Sequence, residues 1–436
     1  MTAQTDLHAA VDRWVDEHTE DLLQFTEALI RFPSENHVPT GFEKDCQSFI
    51  AEAMRGLPEV ALDIFEPTDV PGLVEHPAYW PGRNYHDRPN VVGTWPGANP
   101  GGSRSLLFSS HADVVAGSQG GRFAPFEPAR EAGKLYGRGS NDMKGGLAAS
   151  LIAVRCLQEL GVRLQGNLTV ESVVDEEMGG SNGTLASRLR GHNADACIVP
   201  EPNGMFVSPA HRGGCMWEIT LEGSPGMPFG STGLVNPAYG IAQLVVAIEA
   251  WEAARNQRTA PHPMYQATPG LPVVLSRVVA GDFEPGSGNG IPSRAQLEVW
   301  AEVYPGARFE ELYDDFIGPL KRLAAQSAMI QKCEMLVHQV TRFLPGSEIP
   351  ADHPIVQAVS RQYAQVLKRT PELRGAPFAC DVYVFNLHSP TPCVILGPRG
   401  ENAHAPDEWV IIEDLVALTK IFALTAVEWC GRADLS

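Results

Sequence analysis

The sequence predicts an α/β protein in two parts: a domain on a largely parallel sheet, interrupted by a smaller α+β domain. Up to Glu201, strand-like apolar runs alternate with segments of helical period, the pattern of an α/β domain. After Glu201 strands and helices come in a different order, and the first pattern returns at His353. At 436 residues the chain also exceeds the size at which one hydrophobic core keeps growing.

Residues 5–32 place Leu7, Val11, Trp14, Leu22, Phe25 and Leu29 at helical spacing and stop before Pro33. A second helix is expected from Glu43 to Leu57. The stretch 66–90, rich in Pro, Gly, His and aromatic residues, reads as a long loop. Strands follow at Asn90–Thr94, Ser105–Ser109, Asn167–Val174 and Ala196–Val199, with a helix over Lys144–Leu160 among them. The interrupting block carries strands at Cys215–Leu221, Pro272–Val279, Ala295–Val303 and Lys332–Val340, and helices at Pro237–Ala254 and Phe309–Gln326. A helix at His353–Leu367, a strand at Cys393–Leu396 and a terminal helix from Glu413 complete a discontinuous first domain.

Composition narrows the function. A hydrophobic fraction of 44% and a charged fraction of 19% are those of a folded globular protein. The net charge of −19, with no long cluster of Lys and Arg, argues against nucleic acid and anionic membranes as partners. The N-terminus is charged and helical in pattern, and no apolar run is long enough to span a bilayer. The eight cysteines lack paired short spacings and read as reduced, buried thiols of a cytoplasmic protein.

Five short segments carry the chemistry: His111-Ala112-Asp113, Asn141 to Gly146, Asp175-Glu176-Glu177, Glu201-Pro202 and Ala403 to Pro406. One imidazole and at least one carboxylate per ion, with a carboxylate shared, suits a pair of zinc, manganese or cobalt ions and points to hydrolysis. His111 ends an apolar run, and strand ends are where open α/β sheets bind ligands. Asp113 can accept the second imidazole N–H and fix its tautomer, although a His-x-Asp triplet also arises by chance. Asp142 stands between Gly139 and Gly145-Gly146, glycines that would let the chain pass close to an ion; an ordinary helix cap reads equally well. Glu176 and Glu177 leave a strand pointing in different directions, so one can bind metal while the other faces a bound water as general base. Three acids in a row are otherwise a solvated loop. Glu201 and His404 also follow apolar runs, so all five segments can converge on one edge of one sheet.

The motifs SSHADVV, GRGSNDMKGG, VVDEEMGG, VPEPN and ENAHAPDEWV together resemble the di-metal superfamily of aminoacylases, acetylornithine deacetylases, succinyl-diaminopimelate desuccinylases and carboxypeptidase G (metallopeptidase clan MH). The resemblance covers nearly the whole chain. It implies a phosphorylase/hydrolase-like mixed sheet in a catalytic domain of residues 1–208 plus 344–436, with residues 209–343 as an inserted lid that also makes a homodimer. It implies that two divalent ions, zinc by default and manganese or cobalt as alternatives, share Asp142. One is further held by His111 and Glu201, the other by Glu177 and His404. Glu176 matches the general base that activates a metal-bridging water, Asp113 matches the partner of the first histidine, and a cis peptide is implied at Asn141–Asp142. The expected reaction is hydrolysis of a linear amide of a small molecule, as an N-acyl amino acid deacylase or a carboxypeptidase-like enzyme.

Two positions depart from the family pattern. Met227 stands where many lids carry an oxyanion-stabilising histidine, nine residues before Asn236, and a thioether donates no such hydrogen bond. Glu302 stands where an arginine usually meets substrate carboxylate. Among lid residues, Arg212, His211, His262, Arg294 and Asn289, together with Met227 itself, are therefore candidates for contact with substrate. The departures raise a second expectation, hydrolysis of a less usual C–N bond such as a formamide, an aryl amide or an aromatic amine. A non-catalytic descendant that only binds metal or ligand is the remaining alternative, against which Glu176 argues.

Overall fold

The computed structural model describes residues 2–179, 182–227, 229, 232–281 and 290–433. The chain divides into two compact units. One comprises Met1–Ala210, Glu348–Ala376 and Cys380–Ser436; the other comprises His211–Ser347 with Pro377–Ala379.

The first unit is built on a six-stranded sheet. Its order is Ala61–Phe65, Asn90–Trp95, Leu168–Val173, Leu106–His111, Ala196–Val199, Cys393–Ile395. The last four strands run parallel to one another, and the first two pair antiparallel at one side, so the sheet is mixed rather than uniformly parallel. Leu106–His111 and Ala196–Val199 are buried at every residue. A strand covered on both faces has no solvent side, hence the consecutive apolar residues of Leu106-Leu107-Phe108 and Ala196–Val199 in place of alternation. Helices Gly145–Glu159, Pro354–Leu367 and Ile412–Cys430 supply much of the covering core, with Leu147, Leu157, Val359, Leu418 and Phe422 fully buried.

Three local results differ from the sequence expectation. The helical run over 5–32 is two helices, Thr2–Glu17 and Thr19–Ile30, separated at His18, whose φ is −107° and whose Nδ1 lies 2.7 Å from the Trp14 carbonyl oxygen. Short helices at Asn182–Leu189 and Val382–His388 escaped the periodicity argument, being only about two turns each. A small antiparallel sheet, in the order Gly400–Glu401, Trp409–Ile411, Lys134–Tyr136, Ala129–Glu131, also escaped it, because two- and three-residue strands leave no periodic signal.

The second unit carries a four-stranded antiparallel sheet in the order Val273–Ala280, Arg294–Val303, Gly213–Glu222, Glu334–Gln339. Along Arg294–Val303, Ala295, Leu297, Val299 and Ala301 alternate inward, the period of a sheet with one covered face. Helices Pro237–Arg258 and Phe309–Gln326 contribute Leu244, Ile248, Phe316 and Leu320 to the same core as Trp217. Among the described residues no helix is long and apolar enough to cross a membrane.

Candidate metal centre

Three of the four parallel strands deliver most of the site from their C-terminal ends. His111 is the last residue of Leu106–His111, Glu176 and Glu177 follow Leu168–Val173, and Glu201 follows Ala196–Val199. His404 lies between Gly400–Glu401 and Trp409–Ile411, which pair with each other and anchor it on the small sheet. Asp142 precedes the helix Gly145–Glu159 but does not cap it. The peptide that is cis is Asp142–Met143, one bond later than the expected Asn141–Asp142.

Two groups of potential ligands share Asp142: His111, Asp142 and Glu201, and Asp142, Glu177 and His404. The two oxygens of Asp142 divide between the histidines, with Oδ1 3.2 Å from His111 Nε2 and Oδ2 3.3 Å from His404 Nε2. His111 Nε2 is also 3.5 Å from Glu201 Oε1, and His404 Nε2 is 2.8 Å from Glu177 Oε2. Donors bound at 2.0–2.1 Å around a tetrahedral ion lie ~3.3 Å apart, so the spacing suits an ion between each set. One nitrogen and two oxygens per position is a donor set for zinc or a similar transition ion, rather than for calcium.

The electrostatics agree. Burial pushes Glu201 up to about 8, with the Asp142 charge adding to it. Burial likewise raises Glu177 and lifts Glu176 well above the usual carboxylate range, only partly offset by the histidines. Asp142 is the exception: burial opposes its ionisation, but contact with both histidines holds it far below the usual range. His404 is driven up to about 11, chiefly by the Glu177 charge. Four acids crowded together, Glu201 buried and the other three partly so, call for positive charge, and divalent cations supply it. Glu176 stands back, its Oε2 4.0 Å from His111 Nε2.

The surrounding residues hold these groups in place. The second nitrogen of His111 is 2.8 Å from the backbone oxygen of Asp113, whereas the Asp113 carboxylate is 3.7 Å away. The expected carboxylate–imidazole bond is thus replaced by a carbonyl. The Asp113 carboxylate serves the other strand end, accepting the Glu177 backbone N–H at 3.0 Å and Asn36 Nδ2 at 2.7 Å. Glu408 was not anticipated. Its carboxylate accepts the backbone N–H groups of Gly139, Asn141 and Asp142 at 3.0–3.1 Å and pairs with Arg138 at 2.6 Å. A glutamate four residues after a candidate ligand gave no sequence signal for this role. Asp381 was also missed: it is buried, accepts from Thr184, and burial pushes it up to about 6. The glycines matter for packing rather than for approach to an ion. A Cβ at Gly146 would lie 2.6 Å from the Pro200 side chain, so the helix presses directly on the segment that bears Glu201.

The five described lid candidates belong to the second unit, and Asn289 lies outside the described residues. Arg212 is committed within that unit: Nη1 donates to Glu302 at 2.9 Å, and Nη2 to the carbonyls of Thr268 and Gly270 at 2.8 and 2.9 Å. Both partners are buried. Glu302 therefore pairs with an arginine of its own unit, a partner that residue spacing could not reveal. His211 is buried, its nitrogens 2.8 Å from the Arg212 carbonyl and from Ser347 Oγ, and burial lowers it to about 4. It is a neutral structural imidazole. His262 Nδ1 accepts from Met264 N at 3.2 Å, and its ring packs against Tyr265 and Tyr304. Met227 and Arg294 are exposed.

Residues 107–428 match Peptidase family M20/M25/M40. N-formyl-4-amino-5-aminomethyl-2-methylpyrimidine deformylase of Bacillus subtilis is 27% identical over 97% of this chain and 98% of its own length. The protein of the same name from Halalkalibacterium halodurans is 24% identical over 95% and 96%. Among solved structures, human carnosine dipeptidase 1 superposes with a TM-score of 0.74 at 15% identity, covering 97% of this chain and 99% of its own. The dipeptidase Dug1p of Saccharomyces cerevisiae gives 0.75 at 15% identity, over 98% and 99%. At these identities the structures bear on fold alone.

Proposed function

The chain belongs to peptidase family M20/M25/M40, and from that premise we propose that it hydrolyses a formamide of a heterocyclic amine, releasing formate and the free amine. It is a metal-dependent hydrolase of C–N bonds; the proposal concerns which bond. The observation that carries it is the buried Arg212–Glu302 pair. An arginine held by a glutamate and two carbonyls has no spare charge for a substrate carboxylate, and a formylated amine has no carboxylate to read. The two relatives named as aminopyrimidine deformylases, matched over nearly their full lengths, support the same substrate class.

In this reading His111, Asp142 and Glu201 hold one divalent ion and Asp142, Glu177 and His404 a second, with zinc the default metal. Bound there, the ions supply Lewis-acid polarisation and lower the pKa of water. Glu176 takes a proton from the attacking water and returns it to the departing amine nitrogen. Asp113 fixes the Glu177 backbone, and Glu408 fixes that of Asp142. The inserted unit is read as the homodimer contact, supported by exposed Val274, Val278 and Leu336 on its sheet. The free thiols support a reducing, cytoplasmic setting.

The test compares kcat/KM on N-formyl-4-amino-5-aminomethyl-2-methylpyrimidine with acetylornithine, acylated amino acids and dipeptides, using zinc-loaded protein. The formamide is expected to lead; efficient turnover of acetylornithine alone would refute the substrate class. Glu176→Gln should keep its metal and lose about 10²–10⁴-fold in kcat.

A further inference from the structure

The loop 66–90 is more than a cover for the sheet. Three of its residues reach the turn that carries Glu176 and Glu177. Asp175, the residue before them, is fully buried and has a φ of 68°, a left-handed conformation that a residue other than Gly keeps only where its surroundings hold it. Those surroundings are polar and come largely from the loop. The Tyr85 hydroxyl donates to Asp175 Oδ2 at 2.5 Å, and the guanidinium groups of Arg83 and Arg88 stand 3.6 and 3.9 Å from Oδ1. Asn36 Nδ2 donates to the same Oδ1 at 3.3 Å. Arg83 also donates through Nη2 to the Met178 carbonyl at 2.7 Å, so one side chain grips both ends of the segment 175–178. The loop is itself pinned: Asn182 Nδ2 donates to the Tyr85 hydroxyl at 2.7 Å and to the Trp80 carbonyl at 2.8 Å.

We propose that Arg83 and Tyr85 are positioning residues for the reaction, acting through Asp175 to hold the turn on which Glu176 and Glu177 stand. This rests on Glu176 being the general base. Three successive carboxylates repel one another, and something must decide which turns inward. Two cations and a phenol O–H gathered on Asp175 draw that one away from the centre, leaving the next two to face it. A loop serving only as cover would need apolar contact with the sheet, not this set of charged partners on the residue beside the base.

The test uses full-length Tyr85→Phe, Asp175→Asn and the double variant, with Glu176→Gln as reference. Zinc binding is measured by competition with a chelator, and kcat and KM are measured at saturating zinc on N-formyl-4-amino-5-aminomethyl-2-methylpyrimidine. Tyr85→Phe should weaken one of the two zinc ions by about tenfold, or lower kcat by about ten- to a hundredfold with KM within twofold. The double variant should lose no more than Asp175→Asn alone, since both act on one contact. Unchanged zinc affinity together with wild-type kcat, whether or not the melting temperature falls, overturns the proposal, as does additivity in the double variant. Activity retained in Glu176→Gln sinks the base assignment and the proposal with it. A dead Glu176→Gln beside a wild-type Tyr85→Phe sinks the positioning role alone.

Discussion

Replacing Arg212 by methionine should destabilise the inserted unit by about 3–5 kcal/mol at pH 8, the cost of leaving a buried charge without its partner. The contacts set that figure. Glu302 loses its 2.9 Å bond, the Thr268 and Gly270 carbonyls lose their donor, and the guanidinium no longer lies over the Tyr265 ring 4.9 Å away. The penalty should shrink at pH 6. Burial already lifts Glu302 to about 7, with Arg212 offsetting part of that, so the abandoned carboxyl escapes its charge by taking up a proton. Removing both charges, as Arg212→Met with Glu302→Leu, should recover most of the loss, because an apolar pair of similar volume avoids the desolvation cost. Hydrogen exchange on peptides from Gly213–Glu222 and Arg294–Val303 reads the unit itself rather than the whole chain. At 25 °C and full zinc, the double variant should keep KM within about twofold of the wild type. A single variant that loses less than about 1 kcal/mol, or a double variant as unstable as the single, would show that the pair is not the buried contact described. A rise in KM with stability intact would return Arg212 to the substrate.

Other outcomes follow from the same contacts. Between pH 4.5, where the unfolded Glu302 carboxyl titrates, and about 7, the folded chain binds the extra proton. Stability should therefore fall with rising pH, by at most about 3 kcal/mol, and Glu302→Gln should flatten that slope in urea titrations across the window; an identical slope in the variant would count against it. Asp142→Ala should abolish binding of both ions, whereas Glu201→Ala should leave one, as counted by mass spectrometry of the metal content. Equal stoichiometry in the two variants would remove the shared-ligand assignment. Glu408→Gln places an N–H₂ either against the Asn141 and Asp142 N–H groups or against the Gly139 N–H and the Arg138 guanidinium, and should weaken metal binding about 10–100-fold, measured by chelator competition. Unaltered affinity would mean that the Arg138 pair suffices.

The fold and the centre were legible to different depths. The parallel strands announce themselves as largely apolar runs because they are buried, and three of the four end at or shortly before a candidate metal ligand. Hence His111, Glu176, Glu177 and Glu201 could be read as one edge of one sheet, and the structure gathers them there with Asp142 and His404. The short strands that carry His404 could not be read, since two or three residues show no period and form only by pairing with 134–136. Nor could the roles of the supporting groups. Whether Asp113 braces an imidazole or a backbone N–H depends on a difference of about an ångström, set by the packing of Asn36 and the Glu177 turn.

The amino-acid sequence by itself determined which residue types end the strands and in what order, and its resemblance to the family marked Glu302 as an anion where an arginine is usual. Only the tertiary structure decided what those groups meet. Glu302 finds Arg212 from 90 positions away, and Tyr85 finds Asp175 from another 90. Local sequence governs backbone preference over a few residues, whereas pairing of buried charge is settled by which distant segments share a low-dielectric interior that leaves no charge unpaired.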